Sequence, residues 1–127
     1  MLASFLYFHN NGNMKISNAV AALSALAQET RLSIFRLLVE RGPDGLNAGA
    51  IALQLKLPPA TLSFHIAQLV RAGLVTARPE SRFIFYSANF TAMDELLAYM
   101  TDNCCQGDAC LPRTASAARC RTPVETE

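Results

Sequence analysis

Apolar side chains recur at intervals of three and four residues in four consecutive segments of this chain, and that period predicts four helices. The segments span residues 15–27, 30–41, 48–55 and 59–73. The first is rich in alanine and also carries Val20, Leu23 and Leu26. In the second, one face is formed by Leu32, Phe35, Leu38 and Val39. These helices therefore have apolar surface to bury.

The ends of the predicted helices carry residues that favour helix boundaries. Thr30 and Asn47 have side-chain oxygens that accept the free N–H groups of a first turn, so we expect them to be N-caps. Proline suits the first turn because its missing N–H would be unpaired there, which indicates a helix start near Pro59. Glycine favours helix ends, so Gly42 and Gly73 are expected to terminate the second and fourth helices.

After the fourth helix the apolar period falls to two residues, which is typical of strands. Residues 74–78 and 82–88 are the predicted strands, and residues 79–81 are the predicted turn between them. A fifth helix is expected to open with Thr91 and Asp94, a capping pair. The chain is therefore predicted to be an α+β domain, mainly helical, with four helices, one β-hairpin and a fifth helix.

Two short helices joined by a tight turn and followed by a β-hairpin are the arrangement of a winged helix-turn-helix domain. The second helix of such a pair buries one face and leaves the other free to enter the major groove of DNA. In residues 59–73 the apolar face consists of Leu62, Ile66, Leu69 and Val70. The outward and flanking side chains are Thr61, Ser63, Phe64, His65, Gln68 and Arg71.

DNA contacts are expected from the polar side chains of this helix and from the hairpin. Hydroxyl, amide and imidazole groups bond base edges, and arginine meets phosphates. Two arginines flank the hairpin tip, where a wing would touch the backbone or the minor groove. The predicted DNA-binding residues are Thr61, Ser63, His65, Gln68, Arg71, Arg78 and Arg82. Alternatively, Ser63 and His65 are polar groups at a helix–helix contact.

The length of 127 residues favours one compact domain with short tails. We expect a flexible extension over residues 1–14, a DNA-binding domain over 15–106 and a flexible tail over 107–127, with Met14 as an alternative start. The net charge is only +1, but residues 31–82 hold seven bases and three acids, which suits a surface that meets phosphates. No apolar run is long enough for a bilayer and no signal peptide is expected, so we predict a cytoplasmic protein without a membrane partner.

All four cysteines follow residue 103, and three of them, Cys104, Cys105 and Cys110, lie within seven residues. We call these three the thiol cluster. In a reducing compartment, clustered cysteines are more often ligands or redox centres than disulfides. Gly107 lets the chain fold back, so the three thiolates suit As(III) or Sb(III), which take three sulfurs in a pyramid. Zinc and cadmium prefer a fourth ligand, which Cys120 or water would supply.

In the segments ETRLSIFRLL, LPPATLSFHIAQLVRAGLV and RFIFYSA the sequence resembles the ArsR/SmtB family of metal-sensing repressors, over about residues 17–105. The resemblance implies a homodimer, paired through its first and last helices, that binds operator double-stranded DNA. The motif NCC at the end of the last helix resembles arsenite-responsive members, which implies release from DNA when As(III) or Sb(III) binds the thiol cluster. In two places the chain departs from many members: Pro59-Ala60 replaces Gln-Ser, and Lys56 replaces Gly.

Other classes compete with a metalloid-responsive repressor. The thiol cluster is also suited to a redox sensor, through a disulfide or a sulfenate, or to a sensor of cadmium, lead or zinc. A protein-interaction module that uses the winged fold without DNA is a further alternative. An enzyme is not expected, because the sequence has no CxxC motif, no glycine-rich phosphate loop and no acid–base cluster. We therefore predict no catalytic residue, no catalytic cofactor and no small-molecule substrate.

Overall fold

The computed structural model describes residues 14–102, which contain five helices and a three-stranded antiparallel sheet. The elements in chain order are α1 (Ile16–Leu26), α2 (Glu29–Arg41), β1 (Leu46–Asn47), α3 (Ala48–Leu55), α4 (Pro59–Arg71), β2 (Val75–Glu80), β3 (Phe83–Ala88) and α5 (Phe90–Thr101). The predicted α+β winged helix-turn-helix fold is confirmed. None of the helices in this part of the chain is long and apolar enough to cross a membrane.

The core lies where α2, α3 and α4 meet the base of the sheet. Its largest fully buried side chains are Ile34, Leu38, Ile51, Leu62, Leu69, Leu74 and Val75. Full burial of one such side chain stabilises the fold by about 1.5–3 kcal/mol. Among these residues, Leu69 belongs to α4, Leu74 to the connection after it and Val75 to the start of β2, so the core fixes both α4 and the base of the hairpin.

Helix α1 turns its small residues toward the core. Ala19, Ala22 and Ala25 are buried, and they let α1 lie close to α2 and α4. The larger residues that stand out in its sequence, Val20 and Leu23, are 54% and 41% exposed. The helix is therefore apolar on two sides, and only one of them is used within the protomer.

Helix α5 lies beside α1 and also exposes large apolar side chains. Single exposed apolar residues are ordinary, but several on neighbouring helices mark a surface that meets a partner. The exposed members on the two helices are Ile16, Val20, Leu23, Leu97, Tyr99 and Met100. We call this surface the α1/α5 face.

Three helices begin with an amide side chain as the N-cap. Asn47 caps α3 as predicted, with its Oδ1 accepting a backbone N–H at 2.8 Å. The caps of α2 and α5 are Gln28 and Asn89, not the predicted Thr30 and Thr91. In both cases the earlier amide oxygen already accepts an N–H of the first turn, at 2.9 and 3.1 Å, so each threonine lies inside the helix.

The buried stripes of α2 and α4 are narrower than the sequence pattern predicts. Leu32 and Val70 were expected on the inward faces, but they are 45% and 38% exposed. Each lies at the margin of the buried face of its helix, and three other residues of that helix pack against the core. Those residues are Ile34, Phe35 and Leu38 in α2, and Leu62, Ile66 and Leu69 in α4.

The turn between α3 and α4 depends on a residue in the left-handed region. Lys56, where many members of the resembled family have glycine, has φ 56° and ψ 49°. Its neighbour Leu57 donates its N–H to the Ala52 oxygen at 3.0 Å, which closes the end of α3. A side chain in this conformation costs on the order of 1 kcal/mol relative to glycine.

The sheet contains one strand that the sequence did not predict. Strand β1 pairs with β3, with Leu46 opposite Tyr86, and joins the hairpin to the helical body. Only two residues long, it has no visible period of two. Gly45 precedes it with φ 74°, and a Cβ there would collide with the Tyr86 carbonyl. Backbone contact therefore sets this junction.

The hairpin has a tighter turn than expected. Glu80 pairs with Phe83, so the connection consists of Ser81 and Arg82 alone, and not of the predicted residues 79–81. Ser81 takes φ 60°, as a two-residue turn requires. From Thr76 to Phe83 the hairpin is exposed throughout, which makes it a projecting wing.

The contrast between the two leucines of α2 is testable. Leu38→Ala should lower the free energy of unfolding by about 2–5 kcal/mol, because it leaves a cavity at a fully buried site. Leu32→Ala removes the same atoms from an exposed site and should cost well under half as much. Urea unfolding followed by circular dichroism measures both. Equal losses would contradict the burial described for α2.

Candidate nucleic-acid interface

Helix α4 has the two-sided construction that the sequence predicts. It starts at Pro59, after Pro58 in an extended conformation, and ends at Arg71. Leu62, Ile66 and Leu69 form its buried seam. On the opposite side, Ser63 and Phe64 are exposed within residues 14–102.

The side chains in the first two turns of α4 differ in their exposure to solvent. Ser63 and Phe64 are exposed, with Phe64 exposed by 59%, while Thr61 is half-buried. Ser63 therefore has its hydroxyl available for an outside partner. Thr61 lies at the edge of the helix packing with only part of its surface free.

His65 is held by an arginine from another helix. Arg31 of α2 places Nη1 3.2 Å from His65 Nδ1, while its Nε donates to the Ala25 carbonyl at 2.6 Å. A guanidinium has only donors, so Nδ1 accepts and the imidazole proton sits on Nε2. His65 thus lies at a helix–helix contact, as the alternative interpretation proposed, and still offers one N–H donor.

The same contact affects the protonation of this imidazole. Burial, and secondly the charge of Arg31, lower the pKa of His65 from its ordinary value of 6.5. The histidine is therefore neutral at physiological pH, and a proton on Nδ1 would break its bond to the guanidinium. No sequence pattern points to this role of Arg31, because the contact joins residues 34 positions apart.

Gln68 and Arg71 lie along an open groove of about 310 Å³ between α1 and α4, and Arg31 lines the same groove. Gln68 is half-buried there and faces α1, so it does not lie opposite the buried seam as expected. Arg71 is exposed at the last turn of α4. Within residues 14–102 neither Arg31 nor Arg71 forms an ion pair with a carboxylate.

Arg78 is committed to the base of the wing. Its Nη2 donates to the Asp44 carbonyl at 3.1 Å, and its Nε lies 3.5 Å from a Glu80 carboxylate oxygen. The guanidinium also stands 5.6 Å from the centre of the Phe85 ring, which is its cross-strand neighbour. These contacts tie β2 to β3 and to the loop before β1.

Arg82 differs from Arg78 in its surroundings. It occupies the two-residue turn at the wing tip, it is exposed, and none of the described carboxylates lies within ion-pair distance of it. A tip arginine in this position has a free guanidinium. Of the two predicted wing contacts, Arg82 is the better placed to reach a phosphate or a groove.

One asparagine links the end of α4 to the start of α5. Asn89 donates from Nδ2 to the Gly73 carbonyl at 2.9 Å and from its backbone N–H to the Leu74 carbonyl at 2.8 Å. It also caps α5 by accepting the Ala92 N–H. The recognition helix and the last helix are therefore joined by hydrogen bonds through a single residue.

The thiol cluster, Cys120 and the predicted tail over residues 107–127 lie outside the described residues, as does the extension before Met14. Helix α5 ends at Thr101, three residues before Cys104. Within residues 14–102 no group of three or more histidine, cysteine or acidic side chains is arranged to hold a metal ion.

Comparison with known proteins agrees with this geometry. The model of a Helix-turn-helix domain family matches residues 26–78. The transcriptional activator HlyU of Vibrio cholerae is 33% identical over 92 residues, covering 72% of this chain and 82% of HlyU. The transcriptional repressor SdpR of Bacillus subtilis is 30% identical over 84 residues, covering 66% of this chain and 90% of SdpR.

Solved structures give the same result. Two structures of HlyU from Vibrio cholerae, one of them reduced HlyU, align with a TM-score of 0.54 at 37% and 32% identity. They cover 66% and 68% of this chain, and 91% and 90% of those chains. The homodimeric winged helix-turn-helix DNA-binding domain Mb0332 of Mycobacterium bovis, a possible ArsR-family regulator, aligns with a TM-score of 0.56 at 25% identity, covering 74% of this chain and 87% of that one.

A winged helix-turn-helix with exposed side chains on its recognition helix defines the chain as a transcriptional regulator of the helix-turn-helix class. Its relatives place it more narrowly: the chain belongs to the ArsR/HlyU family of transcriptional regulators. The expectation that it is not an enzyme is confirmed by this membership.

The environment of His65 predicts a pH dependence of stability. Because folding lowers its pKa, the folded state binds this proton less tightly than the unfolded chain. Its contribution to stability is complete above pH 6.5 and is lost as the pH falls from 6.5 through the folded pKa. Urea midpoints should therefore drop more for the wild type than for His65→Gln over this range. Parallel curves for the two proteins would contradict it.

Proposed function

We propose that this regulator is a homodimeric repressor that binds operator DNA through α4 and the wing and is released when a metalloid binds the thiol cluster. The observation that carries the DNA-binding part is the construction of α4. Its buried seam fixes the helix to the core, while Ser63 and Phe64 are exposed on the opposite side. His65 lies beside Arg31 and keeps its Nε2–H as a donor. A rigid helix with a free polar side fits the major groove.

The α1/α5 face supports the homodimer. It combines exposed large apolar side chains from two neighbouring helices, which is the composition of a dimer interface and not of a DNA-binding surface. Two copies that pair through this face would present two recognition helices to two half-sites. Half-sites one DNA turn apart, about 34 Å, suit such a dimer.

The arginines divide into groups with different expected roles. Within residues 14–102, Arg82 at the wing tip and Arg71 at the end of α4 form no ion pair, so we assign them to phosphates, while Arg78 ties the strands of the wing together. Phosphate contacts position a protein on DNA without reading its sequence. We therefore assign sequence discrimination to the first two turns of α4 and salt-dependent affinity to the arginines.

Dimerisation through the α1/α5 face can be tested together with DNA binding. Val20→Asp places a charge on the face and should give a monomer in sedimentation equilibrium. Its affinity for a duplex from upstream of its own gene should fall by about a hundredfold or more, because the second half-site no longer adds its binding energy. Fluorescence anisotropy measures the affinity.

Leu32→Asp is the matched control, since Leu32 has a similar exposed fraction but belongs to α2. It should remain dimeric and keep its preference for the upstream duplex over a random one. A monomeric wild-type protein that prefers its upstream duplex would contradict the dimer. A wild-type protein without any such preference would contradict operator binding altogether.

The chemistry of the thiol cluster supports a metalloid as the effector. Three thiols and As(OH)₃ react to give three As–S bonds and three molecules of water, so one ion draws three cysteine side chains to one point. Cys104 follows the end of α5 by three residues. Binding of the ion by these side chains would therefore act first on α5.

A physical route leads from α5 to the recognition helix. Asn89 caps α5 and bonds to Gly73 and Leu74, directly after α4. A change in the position of α5 would alter the dimer face and the support of α4 together. Only a ligand that binds the two positions of α5 unequally would shift DNA affinity.

A second candidate effector is oxidation of the same thiols. It is favoured by the solved relative described as reduced HlyU, for which a redox state is specified. In this chain, peroxide would oxidise two thiols of the cluster to a disulfide and be reduced to two molecules of water. The two effectors act on the same segment and differ in what triggers them.

Replacing the thiol cluster separates DNA binding from its control. The variant with serine at Cys104, Cys105 and Cys110 should bind the upstream duplex like the wild type. Arsenite should weaken wild-type binding by about 5–150-fold, the usual range of such couplings, and leave the serine variant unchanged. Anisotropy titrations under reducing conditions measure this, with Cys120→Ser as the control that keeps the response.

Release of the triple-serine variant by arsenite would contradict the site. A wild-type protein that responds to peroxide alone would favour the redox sensor.

A further inference from the structure

Phe64 is an exposed aromatic side chain on α4. It is 59% exposed and lies opposite the buried seam. The large exposed apolar residues of α1 and α5 belong to the α1/α5 face, but Phe64 is on a different helix. An aromatic ring left in water at this position gains from burial only when a partner molecule covers it.

The neighbours of Phe64 along the helix are apolar on one side, and on the other side they are the half-buried Thr61 and Gln68. Ala60 and Ala67, four residues before and three residues after it, are both exposed. Neither has a hydrogen-bonding side chain, so the strip formed by Ala60, Phe64 and Ala67 offers only carbon to a partner. Ser63 lies beside this strip, and the half-buried Thr61 lies on its other side.

The ring also makes one contact within the protein, which restricts its motion before any partner binds. The Phe64 and His65 rings meet edge to face, with centroids 5.2 Å apart and planes 70° apart. His65 is fixed in turn by Arg31. A side chain that is already ordered loses less conformational entropy on binding, so its contacts contribute more to affinity.

We propose that Phe64 reads the 5-methyl group of thymine in the major groove, and this inference rests on the proposed operator binding. The methyl group is the apolar feature that base pairs present in that groove, where the other exposed groups are hydrogen-bond donors and acceptors. A phenyl ring placed against those polar groups would remove their water without replacing its hydrogen bonds. Against a methyl group it gains apolar contact, so the operator carries thymine at the position beneath Phe64.

Deoxyuridine isolates this contact, because it pairs like thymidine and lacks only the methyl group. The wild-type dimer is titrated by anisotropy against its upstream duplex made with thymidine or with deoxyuridine. Loss of one contacted methyl should weaken wild-type binding about fourfold, and loss of one in each half-site about fifteenfold. Single deoxyuridine substitutions then locate the base.

Three variants separate the contact from general effects of the altered DNA. Phe64→Ala should bind the thymidine duplex more weakly and respond little to deoxyuridine, while Phe64→Leu keeps part of the discrimination. Leu32→Ala removes an exposed apolar side chain from α2, which has no proposed DNA contact, and should discriminate like the wild type. Thermal unfolding checks that all three are folded, as expected for exposed positions.

The inference is overturned if the wild type binds both duplexes equally, or if Phe64→Ala loses as much affinity with deoxyuridine as the wild type does. Either result leaves operator binding standing, provided that both proteins still prefer the upstream duplex over a random one. Absence of that preference in the wild type would remove the proposed function, and the thymine contact with it.

Discussion

The burial of one side of α4 is the constraint on which the rest of the molecule depends. Leu62, Ile66 and Leu69 are packed into the core, so the helix cannot rotate without exposing them. Displacing even one of these side chains would cost about 1.5–3 kcal/mol of apolar burial. The exposed side chains on the opposite side, Ser63 and Phe64, therefore point away from the core in a fixed direction. A reading surface needs this rigidity because base edges differ by the positions of single atoms.

Hydrogen bonds also connect α4 to the neighbouring helices. Arg31 bonds at once to the end of α1 and to His65 on α4, so three helices meet at one guanidinium. Asn89 does the same at the other end of α4, where it connects Gly73 to the first turn of α5. Arg31 thus supports the recognition helix at His65, and Asn89 supports it at the residues that follow its last turn. Both supporting contacts lead to α1 or α5, the helices that carry the apolar face.

The molecule separates its surfaces by chemistry. The α1/α5 face is apolar and carries large side chains, while the side of α4 combines hydroxyl, imidazole and aromatic groups and the wing carries arginine. The net charge of +1 gives no indication of this difference between the surfaces. Electrostatic attraction to DNA depends on local charge, and the arginines at the wing tip and at the end of α4 form no ion pair within residues 14–102. Arg78 is also a basic residue of the wing, but its guanidinium makes contacts within the protein, with the Asp44 carbonyl and the Phe85 ring.

The sequence alone was enough to predict the five helices, the hairpin, three of the four expected seam residues of α4 and the cap at Asn47. These features depend on side chains a few residues apart, and the chain can be read for them locally. Only the tertiary structure decided that α1 buries its alanines, that Leu32 and Val70 are exposed, and that β1 joins the sheet. It also decided which polar residues are free, since Arg31 meets His65 across 34 positions and Gln68 turns toward α1. Such contacts follow from how the helices cross, and the spacing of residues along one helix does not contain that information.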